Sequence, residues 1–143
     1  MRPTAFRALI VCSILLGLAG SLLDFLFPGL LSSELAAAIE NEPVPALFDA
    51  HPLLVGMVTI AALVAGIAST VGLFLFRRWG RTASLWLSAA ALLLYPPFGA
   101  TVYSGWAASV VELSSMTWGA VLALAYFSPL AARFEHAGQP ART

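Results

Sequence analysis

Two acids and a histidine stand inside, or at the edge of, stretches that are otherwise apolar. They are Asp24 in "SLLDFLF", Glu112 in "SVVELSSMTWGAV" and His51 in "DAHPLLV". An ionised side chain at the centre of a bilayer helix costs about 2.5–3.5 kcal/mol, and less near the interface. A carboxyl kept there has two main uses: it joins helices by hydrogen bonds, or it holds a proton or a ligand. Glu112, Asp24 and His51 are therefore the candidate proton or ligand site. No metal site is expected, because the few possible ligands show no recognisable spacing. Cys12 is the single cysteine, in an apolar run with no second thiol, and reads as a small packing residue.

These residues depend on four apolar segments for their placement. The segments cover about residues 8–27, 52–76, 83–103 and 106–130. Each holds about 20 residues or more, enough to cross a hydrocarbon core of about 30 Å as a helix. Lipid offers no partner for backbone N–H and C=O groups, so helices are the fitting structure. The sequence thus predicts an all-α integral membrane protein, a four-transmembrane-helix bundle forming one membrane domain. "ALIVCSILLGLAG" behind Arg2 and Arg7 has features of a signal peptide. The apolar run continues through "LLDFLF" to spanning length, so it reads as an anchor.

The arginines give the threading. Arg2 and Arg7 precede the first segment, Arg77, Arg78 and Arg81 fill the link "RRWGR", and Arg133 and Arg142 follow the fourth. The loop 28–51 has no basic residue and holds Glu34, Glu40, Glu42 and Asp49. Positively charged loops stay in the cytoplasm, so Arg77, Arg78 and Arg81 read as topology determinants with both termini cytoplasmic. Within the outer loop, "SSELAAAIE" predicts a short surface helix capped by Ser32 or Ser33 with Glu34 in its first turn. The tail 135–143 is expected to be disordered.

Helical spacing places small residues in stripes: Ser13, Gly17, Gly20, Ser21 and Asp24; Ala61, Ala65, Ser69 and Gly72; Ser84, Ser88, Ala91 and Tyr95; and Ala108, Glu112, Ser115, Gly119, Ala123 and Tyr126. Such stripes let membrane helices approach closely, and they point Asp24 and Glu112 into the bundle. At 1.5 Å per residue, Asp24 lies about 5 Å and Glu112 about 9 Å from the outer ends of their segments. His51 stands at the same side. Pro96 and Pro97 remove two backbone donors from the third segment, which predicts a kink or an early helix end there.

The chain of 143 residues is 60% hydrophobic and 10% charged, and it has no lysine. Soluble domains carry about a quarter charged residues, so this composition excludes a soluble domain. Seven acids balance seven arginines, which gives no electrostatic case for a nucleic-acid partner. Length and span count are similar to those of the small multidrug-resistance carriers. The resemblance extends no further: their essential glutamate is in the first span, here it is in the fourth, and the 24-residue outer loop departs from their pattern. No residue role carries over. The chain also resembles small inner-membrane proteins of bacteria, which implies a multi-pass inner-membrane location. Without a nucleotide loop, a metal cluster or a nucleophile–base set, it reads as a structural or accessory protein with no cofactor, rather than as an enzyme. Its partners are then the lipid bilayer and further copies or a larger membrane complex. The alternatives are a small transporter of a proton, cation or lipophilic compound using Asp24 and Glu112, and a membrane metal-binding protein or enzyme.

Overall fold

The computed structural model describes residues 2–41, 43, 45–94 and 101–136, and all regular structure among them is helical. The elements in chain order are α1 (Pro3–Leu26), a 3-10 turn (Pro28–Leu30), α2 (Ser33–Glu40), α3 (Ala46–Ala50), α4 (Pro52–Phe74), α5 (Arg78–Leu94), α6 (Gly105–Phe127) and α7 (Ala131–His136). Proline occupies the first position of α1 and α4, where its missing N–H costs nothing. Three helices, α1, α4 and α6, are long and apolar enough to cross a membrane.

The third expected segment differs most from its prediction. α5 begins at Arg78, so Arg78 and Arg81 belong to the helix and not to the link. Its apolar part, Thr82 to Leu94, covers about 20 Å at 1.5 Å per residue, two-thirds of a hydrocarbon core. Thr101 to Ser104 has no regular structure, with Ser104 itself extended. Pro96 and Pro97, with Tyr95, lie outside the described residues. The fourth helix stops at Phe127, three residues short of expectation, because Ser128 turns out of the helix and its hydroxyl accepts the Leu130 N–H at 3.2 Å. Glu135 and His136 fall in α7 and not in a tail.

The long helices form two pairs, α1 against α6 and α4 against α5, with slighter contact between the pairs. In the first pair, a Cβ on Gly20 would lie 2.7 Å from Val111 Cγ2 and 3.0 Å from its backbone nitrogen. Only a glycine permits that approach. Nearby, Ser13 donates to the Ser114 carbonyl at 3.1 Å and Ser114 donates to the Ser13 carbonyl at 2.8 Å, a reciprocal link between the helices. The α6 face toward α1 is therefore Ala107, Val111, Ser114, Val121 and Ala125. It is one residue, about 100°, away from the stripe through Glu112 and Ser115. Spacing alone could not choose, since two stripes of small residues run side by side on α6.

In the second pair, Gly72 and Gly80 touch backbone to backbone: a Cβ on Gly80 would sit 2.3 Å from the Gly72 carbonyl carbon. The tight connection between α4 and α5 makes this possible. Arg77 N–H donates to the Gly72 carbonyl at 2.8 Å and Phe76 N–H to the Leu73 carbonyl at 3.0 Å. This is the Schellman pattern, which needs a left-handed residue. Here that residue is Phe76, with φ 56°, where glycine is usual. The conformation costs about 1–2 kcal/mol for a residue with a Cβ. Its compensation is the Phe76 ring, which joins Phe6 and Phe134 at centroid distances of 5.5 and 5.2 Å. With Ile10, Leu73, Val121, Ala125 and Leu130, these rings make the core, at the end of the bundle where the arginines gather.

Candidate functional site

Helix ends leave carbonyls and N–H groups unpaired, and charged side chains close several of them from neighbouring elements. Arg7 Nε donates to the Phe74 carbonyl at the end of α4, at 3.1 Å. Its guanidinium lies over the Phe74 and Phe76 rings at 5.1 and 5.5 Å. Arg81 donates to the Ala125 carbonyl in the last turn of α6 at 3.2 Å, and stacks over Tyr126 and Phe134 at 4.5 and 5.5 Å. Cations at helix C-termini also meet the negative end of the macrodipole.

Asp24 does the converse at the other end. Its Oδ2 accepts the Ser104 backbone N–H at 2.8 Å, while the Ser104 hydroxyl accepts the Ala107 N–H at 3.2 Å. A carboxylate at the end of α1 thus fixes the residue that caps α6, where the macrodipole favours negative charge. Asp24 is half-buried, and its Oδ1 is buried without a hydrogen-bond partner.

Glu112 is exposed. It lies on the α6 face next to the one that meets α1, and lines a groove of about 390 Å³ with Thr101, Tyr103, Ser115 and Leu92. This differs from the expectation that Glu112 points into the helix contact; Val111 and Ser114 hold that place. His51 is exposed at the start of α4, and its side chain caps nothing there. Among the described residues, no group of three or more His, Cys, Asp and Glu side chains is placed to hold a metal ion. Asp24 is committed to α6's N-terminus, Glu112 to the groove beside it. Cys12 is exposed on the outer surface of α1, contrary to the packing role expected for it.

The slight contact between the helix pairs leaves a cleft. Toward α1 and α6 it forms a cavity of about 670 Å³ that includes Ser88, Ser114, Ser115 and Trp118. Toward α4 and α5 it forms one of about 320 Å³ that includes Ser69, Thr70, Ser84, Ser88 and Trp118. The Trp118 indole N–H donates to the Ser88 hydroxyl at 2.9 Å, bridging α6 and α5. Sequence spacing found Ser69, Ser84 and Ser88. It missed Trp118 and Ser114, whose signal was only their three- and seven-residue offsets from Val111. Comparison with known proteins finds no matching family model, no matching curated protein and no matching solved structure.

Proposed function

We propose that this chain is a small multi-pass protein of a bacterial inner membrane, of structural or accessory type, with both termini in the cytoplasm. In this reading α5 and the residues after it complete a fourth crossing, and the chain works by associating with further copies or with a larger membrane assembly. One observation carries the reading. Within the most apolar windows of α1, α4 and α6, only 17%, 11% and 11% of residues are buried inside the chain. The outward residues include Leu15, Leu18, Phe25, Leu53, Met57, Ile60 and Met116, all more than half exposed. Apolar surface on that scale needs lipid or neighbouring helices to cover it. The one-sided collection of Arg7 and Arg81 on the aromatic core supports the cytoplasmic assignment of that end.

A mild extract of native membranes, sized by native electrophoresis, tests the proposal. The chain is expected in an assembly larger than its 15.0 kDa monomer, unchanged by Glu112→Gln. A second reading rests on the open groove beside Glu112: the carboxyl there is a proton or cation site of a small transporter. Monomeric protein whose flux in liposomes is lost with Glu112→Gln would replace the first reading with the second.

A further inference from the structure

We propose that the cleft between the two helix pairs binds a neutral lipophilic molecule through a carbonyl-type oxygen, with the Ser84 hydroxyl as its donor. The inference rests on the bilayer location proposed above, and does not depend on Glu112.

Ser84 is 1% exposed, and its hydroxyl oxygen is buried with no hydrogen-bond partner. A buried hydroxyl without a partner is costly, so native structures seldom keep one without a use. The other hydroxyls of the cleft are already engaged. Ser69 and Thr70 both donate to the Gly66 carbonyl, at 2.9 and 2.8 Å, and Ser115 donates to the Val111 carbonyl at 3.1 Å. Ser13 and Ser114 satisfy each other. Ser88 accepts from Trp118, one turn beyond Ser84 on the same face of α5. Among the described residues lining the 320 Å³ cavity, Ser84 therefore has the one hydroxyl with no hydrogen-bond partner at all, and the cavity shares Ser88, Ala91 and Trp118 with the adjoining 670 Å³ cavity.

The walls give the class of ligand. Sites for small molecules are typically concave, mostly apolar and about 300–1,000 Å³, with a few placed polar groups. No charged side chain lines either cavity, so neither an ion nor a zwitterionic headgroup finds a counter-charge there. A hydroxyl donor among these walls suits a neutral acceptor oxygen on an apolar body. Such an oxygen belongs to the ester carbonyl of a membrane lipid or to the ring carbonyl of a free lipophile such as a quinone.

The test uses the full chain in lipid nanodiscs and reads thermal unfolding of wild type and Ser84→Ala. Discs of ether-linked phosphatidylcholine lack ester carbonyls; discs of ester-linked phosphatidylcholine have them. If lipid is the source, wild type melts higher in ester than in ether discs, and Ser84→Ala erases the difference. If a free lipophile is the source, decylbenzoquinone raises the wild-type melting temperature saturably in ether discs, and Ser84→Ala weakens its apparent affinity at least tenfold. In probe-free ether discs Ser84→Ala should melt no lower than wild type, and higher by whatever the unpartnered hydroxyl costs, because it has no partner to lose. The proposal is overturned if neither response depends on Ser84, or if Ser84→Ala melts lower in probe-free ether discs, which would make the hydroxyl structural. Failure of the bilayer reading is distinguishable, since the folded chain would then stay out of the disc fraction.

Discussion

The two ends of the bundle are held by different chemistry. At the arginine end, Phe6, Phe76 and Phe134 share one cluster, Arg7 and Arg81 close the ends of α4 and α6, and Gly72 meets Gly80 backbone to backbone. At the acidic end, the Asp24 carboxylate holds Ser104, and between the two ends the helix pairs separate around a cleft. For the membrane location proposed here, the lesson is that apolar side chains do not by themselves close a helical bundle, because lipid solvates them equally well. Closure occurs where aromatic rings and guanidinium groups meet helix ends, and it lapses where small and aliphatic residues, short hydroxyls and the single Trp118 ring line the gap.

The contrast can be broken first at the arginine end. Phe134→Ala removes a fully buried ring that touches both other rings and Arg81, and should cost about 3 kcal/mol. Denaturant titration in micelles measures it, and a loss below about 1 kcal/mol would mean that the aromatic cluster does not hold this end. Gly80→Ala should cost about 2 kcal/mol through overpacking, since its Cβ meets backbone and not a movable side chain. Gly119→Ala, whose Cβ would meet nothing within 4 Å, should be neutral in the same titration. Equal effects of the two alanines would contradict the close approach of α4 and α5.

At the acidic end the expected effects are smaller. Asp24→Ala leaves the Ser104 N–H unpaired and should cost about 1–2 kcal/mol. Asp24→Asn keeps an acceptor but not the charge, and should cost about 0.3–1 kcal/mol through the macrodipole. If the two cost the same, the carboxylate does not act as an α6 cap. Smallest is Ser13→Ala, at about 0.6 kcal/mol for one interhelical hydrogen bond in a bilayer. Proteolysis of the loop between α1 and α4 should respond to the Asp24 variants and not to Phe134→Ala, if the ends act separately.

Much of this arrangement was legible in the sequence where one rule acted alone. Length and hydropathy gave α1, α4 and α6, and the Ser32 cap with Glu34 gave α2, whose Leu35 N–H donates to the Ser32 hydroxyl at 3.3 Å. The Ser13–Gly17–Gly20 stripe does face α6. The rest depended on competition that spacing cannot decide. α6 carries two stripes of small residues, and steric fit of Val111 and Ser114 against Gly20 and Gly17 chose the one without Glu112. Phe76 adopts a glycine-like conformation because tertiary packing of its ring outweighs a local cost. The arginines read as topology signals, while their capping of α4 and α6 required knowing which helix ends lie beside them.

The most direct test of the pairing is oxidative cross-linking in native membranes, with Cys12→Ser to remove the native thiol. A Cβ on Gly17 lies 3.9 Å from Ser114 Cβ, close to the mean Cβ separation of a disulfide, about 3.8 Å. Gly17→Cys with Ser114→Cys should therefore cross-link readily within one chain. Gly17→Cys with Ser115→Cys, which belongs to the face through Glu112, should not. Faster cross-linking of the 115 pair, or bonds formed between chains only, would contradict the α1–α6 pairing on which the cap, the cleft and the placement of Glu112 all depend.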